Sequence, residues 1–133
     1  MPFGYPSDTV VMRYCDLMSV VKGGMKSEAE ELEHIRRGSE IQKVEPREVV
    51  CPARTLSSIL DQHRIERLDL LSLDVEGYEL NALKGLDLAR HRPRLMLIEA
   101  RYRDEIDGYL GEHDYQPIAE LSHHDVLYRD TRA

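Results

Sequence analysis

Ile65-Glu66-Arg67-Leu68-Asp69-Leu70-Leu71-Ser72-Leu73-Asp74-Val75-Glu76-Gly77-Tyr78-Glu79-Leu80 is the stretch on which the fold turns. Leu68–Leu73 is a nearly continuous apolar run rather than an alternation, the pattern of a strand covered on both faces. Gly77 ends it and permits a tight turn. Leu80, Leu83 and Leu86 then begin a helix. Asp74 and Glu76 fall at the carboxyl end of this strand, the edge where open α/β sheets bind ligands. An acid there can accept a ligand's hydrogen bonds, hold a hard cation or take a proton. The two side chains point the same way if the strand continues through them, but need not in a turn. Glu79 lies on the helix, where a dipole partner is its plain reading.

Working outward, Leu95-Met96-Leu97-Ile98 is a second apolar run and also ends in an acid, Glu99. Two neighbouring strands ending in acids at one sheet edge point to a site rather than to two caps. Tyr102, Ile106, Tyr109 and Leu110 share a helix face closed by Gly111. Tyr115–Leu121 and Val126–Tyr128 form an antiparallel pair across Ser122-His123-His124-Asp125. Upstream, Val49-Val50-Cys51 is a strand closed by Pro52, and Thr55 caps a helix bearing Leu56, Ile59, Leu60 and His63. The order from residue 49 is β-α-β-α-β-α-β-β. It predicts an α/β three-layer sandwich with a mostly parallel sheet and an antiparallel terminal pair. Residues 27–37 form a further helix, with Ser27 and Glu30 as a capping box and Gly38 as its stop. Thr9-Val10-Val11-Met12 reads as a short strand within an otherwise poorly defined segment, 1–24. Residues 25–133 form a single α/β domain.

The chain has 133 residues, 32% of them charged, and a net charge of −7. That length suits one domain. The acidic balance excludes general nucleic-acid binding and attraction to anionic membranes. No apolar run approaches the ~20 residues of a membrane span. The amino-terminal residues lack the pattern of a signal peptide. Cys15 and Cys51 stand far apart with no CxxC, so they read as free thiols in a cytoplasmic protein. His123-His124-Asp125 reads as a solvated turn, and Arg90-His91-Arg92-Pro93-Arg94 as a solvated basic loop. There is no GxSxG, phosphate loop, zinc-ligand spacing or HExxH.

Arg54-Thr55-Leu56-Ser57-Ser58-Ile59-Leu60, Ile65–Leu80, Leu83-Lys84-Gly85 and Arg92–Glu99 together resemble, in order and spacing, the FkbM-type methyltransferases. The closing Tyr115 and Asp125-Val126-Leu127-Tyr128 segments fit the same family. The resemblance covers residues 49–129. It implies a Rossmann-like methyltransferase that uses S-adenosylmethionine and takes a small-molecule hydroxyl as acceptor. It implies Asp74 and Glu76 as catalytic residues and Asp74 and Glu99 as cofactor-binding residues; a metal is left unassigned. One departure is large. The family's glycine-rich cofactor turn has no counterpart, because no Gly-x-Gly occurs and only 54 residues precede Thr55. The chain therefore reads as the carboxyl-terminal half of such an enzyme, with the first strands missing and with little activity alone. Its Leu68–Leu73 strand is expected to have an open edge, covered in a homodimer or by a partner chain. Two other readings stay open: a non-catalytic accessory or oligomerisation module, and a small hydrolase using Asp74, Glu76 and Glu99, with or without a metal.

Overall fold

The computed structural model of the chain describes residues 9–132. Its elements are β1 (Thr9–Tyr14), β2 (Val20–Val21), α1 (Glu28–Gln42), β3 (Arg47–Pro52), α2 (Leu56–Gln62), β4 (Leu70–Leu73), α3 (Glu79–Lys84), β5 (Leu95–Glu99), α4 (Arg103–Glu112), β6 (Tyr115–Glu120) and β7 (Asp125–Asp130). They build two sheets and four helices, an α/β architecture.

The expectation of a mostly parallel sheet is corrected. In the four-stranded sheet, ordered β4-β5-β7-β6, only β4 and β5 run parallel. The β6–β7 hairpin turns back at Ser122–Asp125, and β7 inserts against β5, so both of its pairings are antiparallel. The Val49–Cys51 strand does not join this sheet. As β3 it pairs antiparallel with β1 along six residues, from Thr9 opposite Pro52 to Tyr14 opposite Arg47. The order of that sheet is β2-β1-β3. A short apolar strand carries no mark of which neighbour it will take. Here Val10 and Met12 lie opposite Cys51 and Val49 and decide it by cross-strand packing.

Two clusters of apolar side chains hold these layers. The larger sits between the four-stranded sheet and α3 and α4, around Leu73, Leu83, Met96, Ile98, Leu110 and Tyr128. The smaller joins α1 to the three-stranded sheet through Cys15, Val20, Met25 and Ile35. Ser27 caps α1 by accepting from the Glu30 amide at 3.1 Å. The Glu30 carboxylate does not reach back as in a full capping box but accepts from Arg101 Nε at 3.2 Å.

Gly38 does not stop α1, which continues four residues further to Gln42. Its role is steric. A Cβ at Gly38 would lie 2.8 Å from Cys15 Sγ and 2.9 Å from Met18 Cβ. The left-handed turn that ends the helix falls at Lys43, φ 56°.

Candidate functional site

The turn after β4 is set by two consecutive left-handed residues, Glu76 at φ 51° and Gly77 at φ 97°. The first is costly for a side-chain-bearing residue, and the second is why glycine stands there. The turn is held from below by Glu79. Its Oε1 accepts from the Val75 amide at 3.0 Å and the Gly77 amide at 3.3 Å. Glu79 is 2% exposed, and burial pushes its carboxyl upward in pKa despite those two donors.

This turn separates the two acids that follow the strand. Asp74 is exposed and stays at the sheet edge, beside Glu99 from the parallel neighbour β5. Carboxylate oxygens of Asp74, Glu79 and Glu99 lie within 4.8 Å of one another. Glu99 is the group most affected. Burial raises its pKa to about 8, reinforced by a hydrogen bond to Asp74 and by the negative charge of Glu76.

Glu76 turns the other way. Its Oε2 stands 3.6 Å from His34 Nε2 and 3.8 Å from Arg101 Nη1. His34, on α1, is buried and its Nε2 also lies 2.9 Å from the Met18 carbonyl oxygen. The Glu76 carboxyl is raised in pKa by burial, with His34 opposing and Asp74 adding to the shift. Of the three predicted site residues, Asp74 and Glu99 thus come together. Glu76 is drawn toward α1, and Glu79 takes the third place in the carboxylate group. The signal for Glu79 was its position, two residues past the turn glycine in the first helical turn, from which a glutamate can reach back to the preceding amides.

Beside Asp74 lies a cavity of about 440 Å³. One wall is the face of the three-stranded sheet carrying Val10, Met12 and Val21; the other combines Leu56, Leu73 and Val75. Asp74 and Glu76 both line it. Tyr78 closes one side, its ring packed so tightly on Gly24 that a Cβ there would lie 2.6 Å from Tyr78 Cδ1. Volume and lining suit a small-molecule pocket, which is typically about 300–1,000 Å³ and mostly apolar with a few polar groups.

The remaining polar candidates are structural. Arg90 pairs with Asp61 at 2.7 Å and Asp87 at 2.9 Å, and Arg92 with Asp130 at 2.7 Å; Arg90 and Arg94 are exposed, as in a solvated loop, while His91 and Pro93 between them are buried. Ser57, His91 and Asp61 lie in a row, but Ser57 is 1% exposed and its Oγ already accepts from the Asp87 amide at 2.7 Å. His123 and His124 touch each other in the β6–β7 turn, ring centroids 4.3 Å apart and planes tilted by 50°. Cys15 and Cys51 are both free thiols. Among the described residues no helix is long and apolar enough to cross a membrane.

Asp74 and Glu99 thus sit at the carboxyl ends of two parallel strands, with Asp74 opening onto the cavity, in the order of motifs that resembles the FkbM enzymes. Comparison with curated proteins and with solved structures returns no match. Against protein-family models, residues 14–122 match the Methyltransferase FkbM domain. That span reaches back over β3 and α1 to Tyr14, the last residue of β1, and takes in Asp74, Glu76, Glu79 and Glu99. The chain belongs to the FkbM methyltransferase domain family.

Proposed function

We propose that this chain is an S-adenosylmethionine-dependent methyltransferase domain that acts on a small-molecule hydroxyl, with its site at the Asp74 cavity. The observation that carries the reading is the apposition of Asp74 and Glu99 at the ends of β4 and β5, next to an apolar cavity of about 440 Å³. The donor set fits the methyl donor. Its flat adenine ring suits the wall of Val10, Met12 and Leu56, and its positive charge suits the Asp74 carboxylate, which lines the cavity and forms no ion pair among the described residues. Asp74 and Glu99 would hold it. When bound, the donor supplies an electrophilic methyl carbon.

The chain's own residues do the rest. Asp74 orients the acceptor hydroxyl and takes its proton as the oxygen attacks. Glu99, hydrogen-bonded to Asp74, fixes that carboxylate's orientation. Glu79 holds the turn that presents Asp74 to the cavity.

Calorimetric titration with S-adenosylmethionine tests this. Binding in the micromolar range is expected, weakened about tenfold in Asp74→Asn, the loss of one charge-assisted contact. Absence of heat in the wild-type chain overturns the reading. A second reading, a metal-assisted hydrolase, is favoured by the convergence of the carboxylates of Asp74, Glu79 and Glu99 within 4.8 Å. Thermal stabilisation by Mg²⁺ or Ca²⁺ without donor, lost in Asp74→Asn, would favour it.

A further inference from the structure

Among the described residues, the charged side chains that line the Asp74 cavity are Arg54, Asp74 and Glu76. Glu76 faces His34 and Arg101. The other two have no ionic partner: neither Asp74 nor Arg54 forms an ion pair among the described residues. For an arginine of this chain that is a departure. With 25 acids to 18 bases, carboxylates are plentiful, and Arg13, Arg36, Arg92, Arg101 and Arg103 each pair with one.

Arg54 is held by neutral oxygens instead. Its Nη1 donates to the Gln62 side chain and its Nη2 to the Ser58 carbonyl at 3.0 Å, both on α2. These bonds tie the guanidinium to the helix without neutralising it. A guanidinium carries five N–H donors, so three remain after those two. They keep the planar fork that matches the two oxygens of a carboxylate. Arg54 is exposed and so open to a ligand that enters the cavity. The apolar lining, with Val10, Met12 and Leu56, offers neither unpaired charge a partner. The cavity thus presents one cation, from the loop between β3 and α2, and one accessible anion, from the turn after β4.

We propose that Arg54 is the carboxylate-recognising residue of this cavity, and that its ligand is an acid carrying a hydroxyl or ammonium group for Asp74. Two participants in the proposed reaction have that chemistry. One is the amino-acid end of the methyl donor, and the other is an acceptor that is a hydroxy acid. On Arg54 a carboxylate exchanges water for a charge-assisted pair, while the hydroxyl or ammonium donates to Asp74. A neutral alcohol leaves the Arg54 donors to water and gains nothing from them. Arg54 therefore selects the ligand, and Asp74 meets its reacting end. This rests on the reading of the cavity as the ligand site, and it stands whether or not a methyl group is transferred there.

Calorimetric titration of the full chain with matched compounds tests it. S-adenosylhomocysteine against methylthioadenosine, which lacks the amino-acid end, probes the donor. Para-hydroxybenzoate against para-hydroxybenzamide probes the acceptor. In at least one pair the acid should bind about tenfold more tightly than its counterpart, the share of one charge-assisted contact. Arg54→Gln should abolish that preference with circular dichroism unchanged, and Arg54→Lys should restore part of it. The pair that shows the preference identifies whose carboxylate Arg54 holds. Equal affinity within both pairs, or a preference for the acid that survives in Arg54→Gln, overturns the proposal even where the donor binds. Arg54-dependent binding of para-hydroxybenzoate with no binding of either adenosine compound upholds it and overturns methyl transfer instead. Failure of all four compounds to bind overturns both.

Discussion

The two ends of the four-stranded sheet solve opposite problems. At the β6–β7 end, charge is matched by charge. Arg92 donates to both oxygens of Asp130 and to the His113 carbonyl, Tyr128 donates to Asp107 at 2.6 Å, and Arg103 bridges Asp107 and Glu120. At the β4–β5 end the acids outnumber their partners. Glu79 finds amides, Glu76 finds His34 and Arg101, and the Glu99 carboxyl is left leaning on Asp74 with its pKa near 8. One end is finished as structure. The other keeps carboxylates crowded together without matching cations, and it is there that the proposed site lies.

The largest test of this contrast sets one substitution against another. Arg92→Ala strands Asp130, whose side chain is 8% exposed, and should cost about 2–3 kcal/mol by denaturant unfolding. Asp74→Asn removes a charge from an overcrowded group and should leave stability unchanged or improved. A similar loss in both variants would break the comparison.

A second test is pH. Glu99 binds its proton more tightly folded than unfolded, since its pKa stands at about 8 against an ordinary 4.5. The folded state therefore holds more protons between those values, and stability falls as pH rises through that window. Its contribution is fully present below about pH 4.5 and lost above about 8. Thermal unfolding followed from pH 5 to 8 should show this decline in the wild type. Glu99→Gln should flatten it; an unchanged slope in Glu99→Gln would assign the decline to another group. The smallest effect belongs to Glu120→Ala. It breaks an exposed pair at the β6 edge and should shift stability by no more than about 0.5 kcal/mol.

The sequence made one half of this picture plain and hid the other. Unbroken apolar runs at Leu68–Leu73 and Leu95–Ile98 identify strands, and each ends in an acid, so the acidic edge is legible without coordinates; cover on both faces is not, because β4 lies at the sheet's end with Leu70 53% exposed. Ser27 and Thr55 are legible as caps because capping depends on local geometry alone, and both accept as expected. Pairing is not local. Nothing in Val49–Cys51 says that its partner is β1 rather than β4. Side-chain direction inside a turn is equally hidden. Two left-handed residues rotate Glu76 away from Asp74, and a spacing of two, which aligns side chains along a strand, loses its meaning there. Gly38 hides its role for a related reason: a glycine after a helical pattern signals a stop, but here the missing side chain serves a close contact that only the fold creates.

That contact has a chemical consequence. Cys15 lies wholly enclosed under α1, and burial pushes its thiol up in pKa, so little thiolate exists to react. An alkylating reagent can reach Sγ only when the helix lifts from the sheet. The rate of Cys15 labelling therefore reads out the opening equilibrium of α1, while half-buried Cys51 reacts first and serves as an internal reference. The chain carries its own clock for the detachment of the helix that holds His34 against Glu76.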